Sequence, residues 1–290
     1  MKPKIFSLSQ QQTQAHYRAS YARPNYLQKT FNADFITVNT GNYYSRLRHQ
    51  LTELLLSKNI IAHPIPLEQL HQALSHDLKK YGNDGLGAVG TLLYENNHEF
   101  LSVLHEFIQE ILFKKIIGKP FLFQATPTFR IHCPNAENSS FFPHYHTDLA
   151  LGHPPHEINL WIPLTPPVAD HGFFLASKND SIVIADYINF DLASLMDDSV
   201  FRDEKYLEFC QGKFLPAAVP AGEALMFDGR CFHTAMPITT HTRISVDFRI
   251  VLEEDFLASD YIYQNCGRRK HLDLTPGEYY FTKGASEKNT

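Results

Sequence analysis

The feature that most constrains this chain is a change of hydrophobic period at Pro120. Before it, apolar residues recur at three- and four-residue steps, the stripe of an amphipathic helix; after it they alternate, as on half-buried strands. The stripe Leu47, Leu51, Leu54, Leu55 predicts a helix over 42–58. Pro66, a good first-turn residue, opens a second helix with Leu67, Leu70 and Leu74 inward and Gly82 at its end. A third, over 97–117, carries Phe100, Leu104, Phe107, Ile108, Ile111 and Leu112 on one side and stops at Gly118. Residues 1–40 show no clear period and read as an irregular arm. The stretch 82–90 reads as a loop, because its glycines match no phosphate-cradling pattern.

Beyond Pro120 the segments 126–133, 157–164, 172–176, 181–185, 213–219, 223–227, 231–235 and 242–252 read as short strands split by Pro, Gly, Asn and Asp. Such a run predicts a mainly β chain: a double-stranded β-helix of the jelly-roll or cupin-like kind, with a helical layer in front of it. The expected organisation is one domain: arm and helical layer over 1–120, barrel core over 121–254 with an acidic insert at 189–211, and a tail over 255–290. Within the tail, 275–281 reads as a turn and short strand closing over the barrel.

In 126–133, Thr128, Arg130 and His132 share one face, and Phe129, Ile131 and Cys133 the other. In 242–252 the polar face is Arg243, Ser245, Asp247 and Arg249, opposite Ile244, Val246, Phe248 and Ile250. A solvated face and a polar cavity both fit that pattern.

Chemistry concentrates in His146-Thr147-Asp148. Residues two apart on an extended segment point the same way, so an imidazole and a carboxylate converge on one ion. One more histidine completes a two-histidine, one-carboxylate set with open positions, which suits non-haem Fe(II). His153 and His156 lie among prolines just after Asp148, and His171 sits in a turn. His233 is flanked by apolar strand residues and stands ten positions before Arg243; His241 has no arginine at that offset. A guanidinium there is what an incoming dicarboxylate needs. With sixteen histidines, chance pairs occur, and His271-Leu272-Asp273 is one: it has no histidine after it and reads as surface. His144 shares the face of His146 as a neighbouring polar group. Given the metal set, the polar face of 242–252 is read as lining a cavity.

A formal charge of −5 offers no surface for nucleic acid or anionic membrane. No apolar run is long enough to span a bilayer, and no apolar core follows the N-terminal basic residues. Four widely spaced cysteines (133, 210, 231, 266) fit reduced thiols in a cytoplasm better than a disulfide or zinc framework. A cytoplasmic protein acting on a small molecule is the expectation; the oligomeric state stays open.

These residues resemble the Fe(II)/2-oxoglutarate-dependent oxygenase superfamily, in its phytanoyl-CoA-dioxygenase-like branch. There a His-x-Asp leads to a Trp-x-Pro-Leu strand (here Trp161-Ile162-Pro163-Leu164), a Gly-bearing turn (Asp170-His171-Gly172-Phe173), a distal His and an Arg. The run from His144 to Asn159 is most similar to the streptomycin-biosynthesis StrG-like group, whose members tend to accompany sugar or antibiotic pathways. The resemblance spans about 121–254. Ala176-Ser177-Lys178-Asn179 departs from it, standing where many relatives have Gly-Ser-His.

The resemblance implies Fe(II) held by His146, Asp148 and His233. It implies 2-oxoglutarate with its far carboxylate on Arg243 and Ser245, O2 as the other co-substrate, succinate and CO2 as co-products, and hydroxylation of a small polar metabolite. Asp148 argues against halogenation, which in this superfamily goes with a small residue at that position. Tyr145, Arg130, Trp161 and Arg249 are candidate substrate-pocket residues. The acids Asp191, Asp197, Asp198, Asp203 and Glu204 of the insert are candidates to attract an amine. Two rivals remain: a cupin-like metal-binding protein without turnover, and a metal-dependent isomerase or hydrolase using the ion as Lewis acid. Neither needs the arginine at position 243.

Overall fold

The computed structural model of the protein describes residues 4–6, 9–79, 88–134, 145–166, 172–196, 203–217, 219–236, 238, 240–258, 260–262 and 276–281. The expectations for His144, His171, Asp197, Asp198, Cys266, His271, Asp273 and most of 82–90 lie outside these residues.

The strands, in chain order, are β1 (Lys4–Phe6), β2 (Phe35–Asn39), β3 (Phe121–Phe123), β4 (Thr128–His132), β5 (Ile158–Pro163), β6 (Phe173–Ala176), β7 (Phe214–Ala217), β8 (Glu223–Asp228), β9 (His233–Ala235), β10 (Arg243–Leu252) and β11 (Asp260–Ile262). The large sheet runs β2-β8-β5-β10, and β10 pairs on its far side with β4 over its first half and β3 over its last three residues. The small sheet runs β7-β6-β9. Pairing within both sheets is antiparallel. Near the two ends of the chain, β1 pairs in parallel with β11.

The period change at Pro120 has a direct structural cause. Helix Tyr43–Ser57 turns Leu47, Leu51, Leu54 and Leu55 inward. Helix His98–Phe107, continued by the π-helical stretch Ile108–Ile117, adds Phe100, Leu104, Phe107, Ile108 and Leu112. These pack against one face of the large sheet: Ile158, Leu160 and Ile162 of β5, Met226 of β8, and Ile244, Val246, Phe248 and Ile250 of β10. Truncating a fully buried member such as Leu51 to Ala should cost about 2–5 kcal/mol, because the lost methyl groups leave a cavity that rigid neighbours cannot fill. The other face meets the small sheet, where Trp161, Leu225 and Phe227 contact Phe173, Leu175 and Cys231. With both faces covered, β5 and β10 are buried along their whole length.

Several expectations change. Residues 1–40 are not an irregular arm: they form helices Gln10–Ala22 and Tyr26–Phe31 and then β2, which edges the large sheet along β8. Each helix begins with a reciprocal cap, Ser9 with Gln12 and Asn25 with Gln28. These caps satisfy the backbone donors that weak periodicity gives no hint of. Residues 181–185 are helical, inside Lys178–Tyr187, with the Ser177 side chain capping Asp180 N. A short β-branched run is ambiguous by period alone, and the cap decides it. The family departure at Ser177-Lys178 is thus the start of a helix. The expected helix from Pro66 breaks into short turns over Leu67–Gln69, Leu70–Ala73 and Asp77–Lys79. Its inward stripe is correct, since Leu67, Leu70 and Leu74 are buried. The continuity fails where Thr242 N donates to Glu68 O and His71 N donates to Thr242 Oγ1. The chain therefore carries more helix than a mainly β reading expects. Among the described residues no helix is long and apolar enough to cross a membrane.

The tail turn 276–281 does fold back. Tyr280 bridges Gln124, and both Tyr279 and Tyr280 are buried. The insert's described acids serve local structure on the outside. Asp191 accepts from Gln10, Asp203 caps the helix Glu204–Cys210 by accepting from Lys205 N, and Glu204 is exposed.

Candidate metal centre

His146, Asp148 and His233 come together from separate places in the chain. His146 and His233 exchange both backbone hydrogen bonds, at 3.0 and 2.8 Å, so His146 sits beside the first residue of β9. Thr147 is extended, which keeps His146 and Asp148 on the same side. Its hydroxyl donates to Gly229 O at 3.1 Å and accepts from Leu149 N at 3.2 Å, starting the tight turn Asp148–Leu151. Asp148 N also donates to Gly229 O, at 3.1 Å. A side chain at Gly229 would press on Glu157 O at 3.2 Å, so a larger residue there would have to push this crossing apart by a few tenths of an ångström.

One ligand atom from each residue lies within 4.8 Å of the others. The two imidazole centroids are 4.3 Å apart, and His233 Nε2 is 4.0 Å from Asp148 Oδ1. His233 Nδ1 donates to Cys231 O at 3.0 Å, which directs the Nε2 lone pair inward. Burial lowers the His233 pKa below the ordinary histidine value, with Asp148 opposing. Burial would raise the Asp148 carboxyl, but Arg249, His153 and His233 outweigh it and hold the group well below the usual carboxylate range. A neutral imidazole beside an ionised carboxylate is the protonation state a metal ion requires.

The Asp148 carboxylate has two distinct oxygens. Oδ2 accepts from Arg249 Nε at 2.9 Å, while Oδ1 is buried with no hydrogen-bond partner among the described residues. A buried carboxylate oxygen without a partner is costly. With His146 and His233 beside it, this oxygen is able to serve as a ligand. The donor set, two histidines and a carboxylate, suits non-haem Fe(II).

The polar face of β10 is buried: Arg243 is 4% exposed, Ser245 1%, Asp247 9% and Arg249 4%. It lines the interior, as the cavity reading expects, and the solvated alternative is excluded. Its three arginine neighbours have different partners. Arg249 holds Asp148. Arg130, half-buried on β4, grips Asp247 with Nε at 2.6 Å and Nη2 at 3.1 Å. Arg243 donates to Gly172 O, to Met236 O at 3.5 Å and to Nδ1 of His132, directly across on β4. Burial, then the charges of Arg243 and Arg130, push the His132 pKa well below the ordinary histidine value. A neutral His132 can accept from a guanidinium.

Other expected site residues are placed as follows. Trp161 packs edge-on against Phe173 at 5.2 Å, in the wall whose Phe173 and Phe227 flank His233. The Tyr145 ring stacks on Phe214 at 4.2 Å, and its carbonyl accepts from Tyr206 Oη. Arg249, expected in the substrate pocket, is ion-paired with Asp148 at 2.9 Å. His241 is exposed and bonded to Thr240, away from the triad.

Sequence reasoning missed His132, Gln124, His153, Glu157, Tyr279 and Tyr280. His132 had a signal, since it shares the Arg130 face of its strand. The other five are joined by contacts no local pattern carries: Glu157 takes His153 Nδ1 at 2.6 Å and the Tyr280 hydroxyl, and Gln124 takes the Tyr279 hydroxyl at 3.0 Å.

No family model matches the chain. A curated protein does: the streptomycin biosynthesis protein StrG of Streptomyces griseus is 25% identical over 160 residues, 55% of this chain and 78% of that protein. The chain is similar to StrG. This is the group that the run from His144 to Asn159 resembles. Among solved structures, the non-heme alpha ketoglutarate dependent epimerase SnoN from nogalamycin biosynthesis aligns with TM-score 0.47 and 15% identity, covering 95% of this chain and 97% of that one. HygX from Streptomyces hygroscopicus, with nickel and 2-oxoglutarate bound, aligns with TM-score 0.46 and 11% identity, covering 85% and 94%. EctD from S. alaskensis with bound Fe aligns with TM-score 0.44 and 11% identity, covering 91% and 88%. No residue role is carried over from these three.

Proposed function

We propose that this protein is an Fe(II)- and 2-oxoglutarate-dependent oxygenase that hydroxylates a small polar metabolite, with succinate and CO2 as co-products. The observation that carries the proposal is the buried Asp148 Oδ1, left without a hydrogen bond between two inward-facing histidines. When bound, the metal supplies oxygen activation coupled to oxidative decarboxylation of the 2-oxo acid. The chain's own part is positioning and charge. His146, Asp148 and His233 hold the ion on one side and leave the remaining positions for co-substrates.

Arg243 is assigned the far carboxylate of 2-oxoglutarate, with Ser245 beside it. Arg243 lies on the buried face of β10 that Ser245 shares, directly across from His132 on β4. The apolar wall of Trp161, Phe173 and Phe227 keeps water from the ligand side of His233. Arg130 with Asp247, Trp161 and Tyr145 are the residues assigned to substrate contact. Residues 1–120, 121–254 and 255–290 act in this reading as one unit, with the two facing sheets as its double-stranded β-helix.

The substrate class rests on the likeness to a streptomycin biosynthesis protein. Buried free thiols at Cys133, Cys210 and Cys231 support a reducing, cytoplasmic setting. The deciding experiment is anaerobic titration with Fe(II) and then 2-oxoglutarate. The expected result is a weak visible charge-transfer band that needs both, followed by succinate release on admitting oxygen. Metal uptake without that band would move the protein to a different use of the ion.

A further inference from the structure

Among the described residues three arginines grip a buried or part-buried aspartate, and one of them does it differently. Arg130 meets Asp247 with both Nε and Nη2, and Arg230 meets Asp228 with both Nε and Nη2. This two-pronged arrangement is the favoured geometry of a guanidinium on a carboxylate. Arg249 reaches Asp148 through Nε alone, while its Nη1 donates to Gln124 Oε1 at 3.3 Å.

Gln124 is fixed in turn. Its Nε2 donates to Thr126 O at 2.6 Å, which sets the orientation of the amide and directs Oε1 toward Arg249. Its backbone N donates to Arg249 O at 2.8 Å. The Tyr279 hydroxyl donates to the same Oε1 at 3.0 Å. A second set of contacts reaches the same carboxylate residue from the tail: Tyr280 Oη donates to Glu157 Oε1, Glu157 Oε2 engages His153 Nδ1 at 2.6 Å, and His153 N donates to Asp148 O at 3.1 Å. The turn at 276–281 therefore lies behind the ligand carboxylate on two sides.

We infer that Gln124 and Tyr279 are positioning residues of the metal centre. The hold on Nη1, together with the bond from Nε to Oδ2, fixes the plane of the rigid guanidinium, so that Nη2 does not swing onto Asp148 and Oδ1 remains for the ion. The C-terminal turn is then part of the metal site, although it contributes no ligand. The inference rests on the metal reading above and adds a competition to it: guanidinium and metal contend for one oxygen, and Gln124 decides the contest.

The test is Co(II) binding to the full-length protein by competition titration, read with the cobalt visible spectrum, alongside thermal unfolding of the metal-free protein. Gln124→Leu should weaken Co(II) on the order of tenfold, the usual size of an outer-sphere loss. Tyr279→Phe, which removes one hydroxyl and leaves the ring packed, should weaken it less and in the same direction. Gln124→Glu keeps an acceptor for Nη1 and should restore binding. Metal-free melting should not follow this order. Wild-type Co(II) affinity in Gln124→Leu would overturn the inference while leaving the metal reading intact. So would equal weakening in Gln124→Leu and Gln124→Glu, which marks a purely structural role. A wild-type protein that takes up no cobalt overturns both.

Discussion

Arg243 and Arg249 stand six positions apart on one face of β10, equally buried, and meet different partners. Arg249 is paired with Asp148; burial would lower its pKa, but Asp148, Tyr279 and Asp247 together outweigh burial and raise it well above the ordinary value. Arg243 is held by backbone carbonyls and by His132, a histidine kept neutral by burial. The first is fixed on a carboxylate; the second is the residue proposed above for the far carboxylate of 2-oxoglutarate. Residue type and burial are the same at both positions, so the group packed against each makes the difference: His132 across the sheet for Arg243, and Asp148 in the turn Asp148–Leu151 for Arg249.

The strongest way to break this contrast is to remove the triad itself. Alanine at His146, Asp148 or His233 should abolish iron-dependent succinate formation, because each removes a ligand. Stoichiometric iron binding retained by His233→Ala would show that His233 is not a ligand.

Next in size is Arg249→Leu. It strands a buried carboxylate and should cost about 3–5 kcal/mol of stability by denaturant unfolding. Saturating Co(II) should recover part of the loss, since the ion supplies the missing positive charge. Arg243→Leu strands no carboxylate ligand and should show no comparable rescue by metal.

Arg243→Ala sharpens the other half. It should weaken 2-oxoglutarate by about 2–5 kcal/mol, at least roughly thirtyfold, with Co(II) affinity unchanged. Equal loss from Arg249→Leu with Arg243→Ala silent would exchange the two roles.

The smallest effect separates the two ends by pH. His132 beside Arg243 has a folded pKa well below the 6.5 of a free histidine. As pH falls, the unfolded chain takes up this proton first, so stability is complete above that value and is lost below it. The slope from this one group is at most about 1.4 kcal/mol per pH unit. His233 titrates in the same direction in the metal-free protein. Denaturant midpoints taken across this pH range should therefore fall toward acid, and His132→Asn should remove its own share of the slope. An unchanged slope in that variant would mean His132 is not held neutral beside Arg243.

Some of this could be read without coordinates, and the reason is locality. His146-x-Asp148 converges because Thr147 is extended, and the alternation of β10 assigns its two faces before any partner is known. The inward leucines of 42–58 and the stop at Gly118 are likewise set by neighbours a turn away. The caps at Ser9 and Asn25 were equally local, as Ser-x-x-Gln and Asn-x-x-Gln. They mark the two helices that weak apolar periodicity concealed.

What local pattern does not hold is the identity of partners. Arg243 finds His132 across 111 positions, Arg249 finds Asp148 across 101 and Gln124 across 125, and Tyr279 reaches Gln124 across 155. Sheet register and the return of the tail choose those pairs, and a shift of one residue would turn every side chain of β10 to the other face. The sequence by itself determined that a ligand set and a row of interior charges exist, because spacing on an extended backbone decides which way side chains point. Only the tertiary structure decided which arginine pairs with Asp148 and which meets His132, because a buried charge takes its setting from the group packed against it.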